Sequence, residues 1–182
     1  MNCTWPGSDE LMLAYHQNEW GKPVHDDKKH FEFIVLDSFQ AGLSWKTILH
    51  KRQGFKKAFA NFDVKKVAKF NEEDIAKLLL DEGIIRNKLK ISGTVKNAKA
   101  FIAIQNEFGS FDAFIWQFTK GKTIDNQPNS NANIPAKSPE SDAMSKALKS
   151  RGFTFVGSTI CYAYMQASGM INDHLMSCSC RS

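Results

Sequence analysis

Residues 71–108 read NEEDIAKLLLDEGIIRNKLKISGTVKNAKAFIAIQNEF, and two helices joined by a tight turn account for them. Asn71, with Asp74 three residues on, has the outline of a capping box, and the run IAKLLL continues from it as a helix ending at Gly83. A second helix is expected from Arg86 to about Phe108, with Ile91, Val95, Ala98 and Ile102 at helical spacing. Gly83-Ile84-Ile85 forms the connection. The same period extends outward in both directions and hardly any segment alternates as a strand does, so the chain is expected to be all-α.

Toward the N-terminus, Ser8 can cap a helix carrying Leu11, Ala14 and Tyr15, and Asp26-Asp27 open another with Phe31, Phe33, Ile34 and Val35 inward. Gln40-Ala41-Gly42-Leu43-Ser44 interrupts that helix. Ser44 caps the next, whose apolar period runs from Trp45, Ile48 and Leu49 through Phe55 and Phe59 toward Asn61, and a short helix follows near Val64. Toward the C-terminus, Ser110 caps FDAFIWQF, residues 121–137 are rich in Asn, Pro and Ser and read as a surface loop, and Ser138-Pro139-Glu140 starts a helix that ends at Gly152. The last long helix is expected from Ser158 to Gly169. With no internal repeat, linker or low-complexity tract, residues 1–182 are expected to form one domain.

The bulk properties fit that outline. The 42% apolar content and fourteen Phe in 182 residues suffice for a sizeable core. No apolar run is long enough to span a bilayer, and MNCTWPGSDE lacks the basic and apolar regions of a signal peptide, so a cytoplasmic, reducing setting is expected. In that setting the four Cys read as metal ligands or buried thiols rather than disulfides. Cys161, inside TICYAYMQA, is a core candidate and Cys180 a spare. The net charge of +5 is spread along the chain, which permits a polyanionic partner such as nucleic acid without requiring one.

Three groups of residues could carry chemistry. Cys3, His16, His174 and Cys178 have the residue types of a zinc site, and residues four apart on a helix would let His174 and Cys178 share one ion, with Asn172-Asp173 as N-cap. Two thiolates and two neutral imidazoles close a tetrahedral shell, which suits a structural zinc that clips the two ends of the chain together. The alternative is an exposed Cys3 and an incidental pair. Asp37 falls on the buried side of its helix if the helix reaches that far, where a carboxylate needs a charged ligand or an ion pair; if the helix ends earlier, Asp37 sits in water. Trp5, Tyr15, Trp20 and Trp45 would offer stacking surfaces to a flat cationic ring if they converge on it. Gly83-Ile84-Ile85 looks like a helix-hairpin-helix turn that aims backbone amides at a phosphate, with Arg86, Lys88 and Lys90 adding positive charge; Ile85 stands where a second Gly is usual. His25, His30 and His50 lack informative partners and are expected at the surface. No P-loop, dinucleotide-binding glycine fingerprint or Ser-His-Asp spacing appears.

Taken together, Cys3, Tyr15-His16-x-Asn18-Glu19-Trp20-Gly21, Gln40-Ala41-Gly42-Leu43-Ser44-Trp45, Gly83-Ile84-Ile85-Arg86, Lys149-x-Arg151-Gly152-Phe153-x-Phe155-Val156-Gly157 and Asn172-Asp173-His174-x3-Cys178 closely resemble the 3-methyladenine DNA glycosylase I family over nearly the whole chain. The resemblance implies the helix-hairpin-helix glycosylase fold, with a structural zinc on Cys3, His16, His174 and Cys178. It implies monofunctional base excision from alkylated double-stranded DNA, with free 3-methyladenine as product. The base pocket would comprise Trp5, Tyr15, Trp20, Asp37 and Trp45, with Tyr15 and Asp37 at the base edge and Trp45 stacked on the ring. DNA would meet Gln40, Ala41, Gly42, Leu43 and Ser44 as a wedge, and Gly83, Ile84, Ile85 and Arg86 at the phosphates. A monomer is the simplest expectation. The chain departs from the family at Asp37, where Glu is general; the carboxylate would sit about 1.5 Å further back. An alternative is therefore a module that binds alkylated DNA but excises weakly or with altered selectivity.

Overall fold

The computed structural model describes residues 3–181. Ten α-helices fall among the described residues: α1 (Glu10–Asn18), α2 (Asp27–Gln40), α3 (Trp45–His50), α4 (Arg52–Ala58), α5 (Val64–Val67), α6 (Glu72–Leu78), α7 (Lys88–Phe108), α8 (Phe111–Ile115), α9 (Pro139–Ser150) and α10 (Ser158–Ala167). The only strands among them are the two-residue pieces β1 (Ile124–Asp125) and β2 (Ile171–Asn172), paired in parallel with Ile124 opposite Ile171. None of the helices is long and apolar enough to cross a membrane.

Local chemistry sets most helix starts. Asp26 accepts from the Lys29 amide, Ser44 from Thr47, Ser110 from Ala113, and the boxes Asn71/Asp74 and Ser138/Ser141 close reciprocally. Other boundaries differ from expectation. Asp9, with its stronger carboxylate acceptor, caps α1 in place of Ser8. The helix expected to run from Ser44 to Asn61 breaks at Lys51 into α3 and α4. The helix expected to reach Gly83 stops at Leu78, and its successor begins at Lys88 because the Asn87 side chain takes the Lys90 amide. Along α7 the buried stripe is Ile91, Val95, Ala98, Phe101 and Ile104, with Ile102 only half-buried.

Helix α2 forms the axis. It is buried from His30 to Phe39 apart from Glu32, and it packs against α3, α4, α7, α8 and α10. A helix buried on all sides is fixed by its neighbours rather than by one apolar stripe. Phe31, Phe39, Phe55, Phe59, Phe101 and Phe111 fill the space around it, in pairs such as Phe31–Phe101 at 5.4 Å and Phe39–Phe55 at 4.7 Å between ring centroids. At the α6–α7 turn, Gly54 of α4 lies so close to the Gly83 backbone that an added Cβ would sit 2.1 Å from the Gly83 carbonyl oxygen. Only glycine fits there, and the turn is seated directly on α4.

The C-terminal segment also departs from expectation. Residues 174–178 are not helical. The segment is held by the β1–β2 pair, by the Met176 amide donating to the Pro128 carbonyl at 2.9 Å, and by Arg181, which donates to the His174 carbonyl at 2.7 Å and pairs with Asp125. Asn172 does act as a local cap, its Oδ1 accepting from the His174 amide at 3.1 Å.

Candidate active site

A cavity of about 320 Å³ opens where α1, α2, α3 and α10 meet, lined by Trp5, Tyr15, Trp20, Asp37, Gln40, Trp45, Asn131, Ile134, Ala163 and Gln166. All five residues expected to converge do so. Trp5 and Trp20 meet edge-on with centroids 5.0 Å apart, and Tyr15 tilts against Trp45 at 5.0 Å. These flat apolar walls suit an aromatic ligand.

The polar inventory of the cavity is unusual. Helix α2 continues past Asp37 to Gln40, so the residue is neither solvated nor ion-paired; it is 2% exposed, and its Oδ2 has no hydrogen-bond partner among the described residues. The same holds for Trp5 Nε1, Trp45 Nε1 and Gln40 Oε1. Burial pushes the Asp37 carboxyl well above its ordinary range, which favours its protonated form. Burial, with Asp37 adding to it, likewise holds the Tyr15 phenol well above its ordinary value, so Tyr15 stays a hydroxyl donor. Buried polar atoms are nearly always satisfied, and these four belong to side chains that line one cavity.

Behind the wall stand the candidate metal ligands. Cys3, His16 and Cys178 are buried and bring their ligand atoms within 4.8 Å of one another, with Cys178 Sγ 3.7 Å from His16 Nε2. Cys3 is 5% exposed, which removes the reading of it as a terminal surface thiol. His174 stands beside this set, its ring centroid 4.8 Å from that of His16, and donates Nδ1–H to Asn172 Oδ1 at 2.9 Å. Nε2 lies 3.4 Å from the His16 carbonyl, and the shorter bond to Asn172 favours the Nδ1–H tautomer, the one a ligand through Nε2 needs. Burial, with His174 nearby, pushes His16 down to about 4, so its imidazole is neutral. The donor set fits zinc. Trp20 links the two sites, since His16 stacks on it at 5.9 Å and His174 meets its face edge-on at 4.8 Å. Gly21 has φ +73° and leaves the space a Cβ would take 3.0 Å from the His174 ring.

Glu19, next to Trp20, is anchored by a bidentate bond from Arg52 at 2.7 Å and by Lys29 at 2.8 Å; Arg52 and Lys29 also hold Glu32. Burial raises the Glu19 carboxyl, but these cations outweigh it and bring it down to about 2. The end of α1 is thereby fixed to α2 and α4.

The expected wedge, Gln40 to Ser44, is the turn between α2 and α3. Leu43 is 41% exposed and its amide donates to the Gln40 carbonyl at 2.7 Å, with Gly42 at φ +77°. In the α6–α7 turn, Gly83 donates to Asp81 Oδ1 at 2.7 Å, Ile85 is half-buried, Arg86 is exposed, and Ile84 is buried, which leaves only the Ile84 backbone available to a partner.

Two expectations fail. His30 is not at the surface: it is fully buried, with Nδ1 accepting from the Tyr164 hydroxyl at 2.6 Å and Nε2 donating to Asp112 at 3.0 Å, whereas His25 and His50 are exposed. Its partners lie 134 and 82 residues away, beyond any local spacing. Lys90 does not add charge to the turn surface: it is 8% exposed and donates to the Phe39 carbonyl at 2.8 Å and to the Ala41 carbonyl. The cavity also includes Asn131 and Ile134 from the 121–137 loop, and Ala163 and Gln166 from α10, none of them singled out by the sequence. The Asn131 side chain bonds to Thr4, which lies between Cys3 and Trp5, and so ties the loop to the N-terminal segment.

The comparisons with known proteins agree on one grouping. The profile of the methyladenine glycosylase family matches residues 5–182. DNA-3-methyladenine glycosylase 1 of Escherichia coli (strain K12) is 47% identical over 98% of this chain and 95% of its own length. A crystal structure of 3-methyladenine DNA glycosylase I superposes with a TM-score of 0.98 at 46% identity, covering 100% of both chains. A Tyr-to-Phe variant of 3-methyladenine DNA glycosylase I in complex with 3-methyladenine superposes at 0.96 with 32% identity, covering 99% of this chain and 97% of that one. With profile, sequence and fold in agreement over nearly its full length, the chain belongs to the methyladenine glycosylase family.

Proposed function

We propose that this chain excises 3-methyladenine from alkylated duplex DNA by hydrolysing the N-glycosidic bond, acting as a monomer and as the monofunctional glycosylase of a base-excision pathway. The observation that carries this reading is the aromatic cavity whose buried carboxyl, Asp37, has an oxygen with no partner. A base methylated at N3 is cationic while attached to its sugar, so it leaves without a strong acid. What remains is to extrude it, hold it and stabilise a sugar with oxocarbenium character.

Each lining residue then has a task. Trp45 stacks on the extruded ring, Trp5 and Trp20 close the other walls, and the Tyr15 hydroxyl and Asp37 meet its edge. A cationic ring draws Asp37 back to its ionised form, whereas a neutral base would have to pair with a protonated acid or strand a buried charge. The acid therefore favours the charged lesion over the normal base. The turn from Gln40 to Ser44, with Leu43 foremost, fills the gap left in the duplex, and the turn from Gly83 to Arg86 meets the phosphates as a helix-hairpin-helix element. Cys3, His16, His174 and Cys178 would hold a structural zinc, which stiffens the wall behind Trp20 and has no open position for chemistry.

The direct test is base release from N-methylated duplex DNA, with 3-methyladenine and 7-methylguanine separated by mass spectrometry. Selective release of 3-methyladenine is expected. A folded protein that binds the duplex and releases neither base would instead be a damage-binding module. For the metal, Cys178→Ala should lose zinc and melting temperature together; an unchanged melting temperature in a zinc-free variant would remove the structural role.

A further inference from the structure

A lysine in the first turn of a helix is electrostatically misplaced, since the helix N-terminus already carries partial positive charge. Lys90 occupies the third position of α7 and is nevertheless turned inward. Its ammonium meets the Phe39 carbonyl at 2.8 Å and the Ala41 carbonyl, the last residues of α2 and its cap, and lies 6.0 Å from the centroid of the Phe39 ring. Three directions are thus filled without any carboxylate. The helix C-terminus is where a cation is favoured, so Lys90 places the charge of one helix start on another helix's end.

The two ends joined in this way have different roles. The α7 end belongs to the turn that holds Gly83 to Asn87, and that turn is seated on Gly54. The α2 end carries Asp37 and Gln40 into the cavity and becomes the turn with the exposed Leu43. We propose that Lys90 is a positioning residue: by holding the carbonyls of Phe39 and Ala41 it locks the DNA-backbone grip at the α6–α7 turn to the wedge turn and the acid of the pocket, so that gripping the duplex and capturing the extruded base use one rigid unit. The proposal rests on the glycosylase reading above. It distinguishes Lys90 from Arg86 and Lys88, which are exposed on the turn surface, Arg86 beside Glu82 at 3.7 Å.

The experiment compares wild type with Lys90→Met and Lys90→Gln in three measurements: single-turnover base release from N-methylated duplex, thermal protection by free 3-methyladenine, and the salt dependence of binding to a duplex with a stable abasic analogue. Misplacement by about 1 Å costs on the order of 10²-fold in rate. Base release should therefore fall by about that factor in Lys90→Met and by less in Lys90→Gln, which keeps an N–H donor. Protection by the free base should stay within about two-fold, and the salt slope should not change.

A slope lower by about one would make Lys90 a phosphate contact and overturn the proposal. So would base release at the wild-type rate in a folded variant, or parallel loss of melting temperature and free-base protection, which would mark a purely structural tie. If both variants fail to fold, the residue is structural and the proposal also falls. Silence from wild type in the same assay would instead refute the glycosylase reading.

Discussion

His30 and Asp37 lie seven residues apart on one face of α2, both almost without solvent contact, yet they are treated in opposite ways. His30 is bonded at both ring nitrogens, between Tyr164 and Asp112, and Asp112 also accepts from His25 at 3.0 Å. Burial keeps its imidazole neutral, and a neutral ring with one donor and one acceptor is fully satisfied there. Asp37 lines the cavity, and its Oδ2 has no hydrogen-bond partner among the described residues. Within two turns of a helix the fold completes one buried polar group from inside and leaves the other without a partner among the described residues. Burial of a polar side chain does not by itself mark a functional site; missing partners on several side chains that line one cavity are the stronger sign.

The contrast can be broken at either residue. The largest effect is expected at His30→Ala, which strands the Tyr164 hydroxyl and opens a cavity. A loss of about 3 kcal/mol, or roughly 6–12 °C in melting temperature, should follow, with base release per folded molecule preserved. Release falling without any loss of stability would place His30 in the site after all.

Asp37→Asn should do the reverse, slowing base release by about 10²-fold while leaving the protein at least as stable as wild type. The pH dependence has a definite sign. Because the folded chain raises Asp37 above its ordinary 3.8, the contribution of this group to stability is full below that value and declines as pH rises toward the folded-state value. The melting temperature of Asp37→Asn relative to wild type should therefore climb as pH rises above 3.8; a flat difference would mean that a partner holds Asp37 ionised.

Trp45→Ala, which removes one face of the cavity and no buried hydrogen bond, should weaken protection by free 3-methyladenine about 10-fold. Equal protection would assign the stacking role to another ring. The smallest effect is expected from Asp37→Glu. A cavity of about 320 Å³ has room for one more methylene, so base release should change by less than roughly 10-fold in either direction. A larger gain would identify the short acid as the limit on this chain's rate.

The sequence revealed most where the chemistry is local. The caps at Asp26, Ser44, Asn71, Ser110 and Ser138 each need only the next three residues, and each is in place. The cavity residues were legible through their ordered resemblance to a family, because spacing alone does not make Trp5 and Trp45 converge. What stayed hidden depends on distant partners. Lys90 reads as one more surface cation until Phe39 and Ala41, 51 and 49 residues earlier, supply carbonyls. Asn131 and Ile134 sit in a polar stretch with no pattern, and long-range ties such as the two-residue β1–β2 pair, the Met176–Pro128 bond and the Asn131–Thr4 bond bring that stretch to the cavity. Residues 174–178 resemble a helical turn in spacing, but they form only a turn, with the Cys178 amide on the Leu175 carbonyl, and bonds to other segments hold it in place.

The chain has four tryptophans, and three of them, Trp5, Trp20 and Trp45, form walls of the same cavity. The fourth, Trp116, is buried elsewhere with its indole N–H held by the Val24 carbonyl at 2.9 Å. The protein's ultraviolet emission is therefore dominated by chromophores that a bound ring would touch, with one internal standard that it would not. Occupancy of the site, and disturbance of the Trp20 wall from the cysteine side, can both be followed optically in the unlabelled protein.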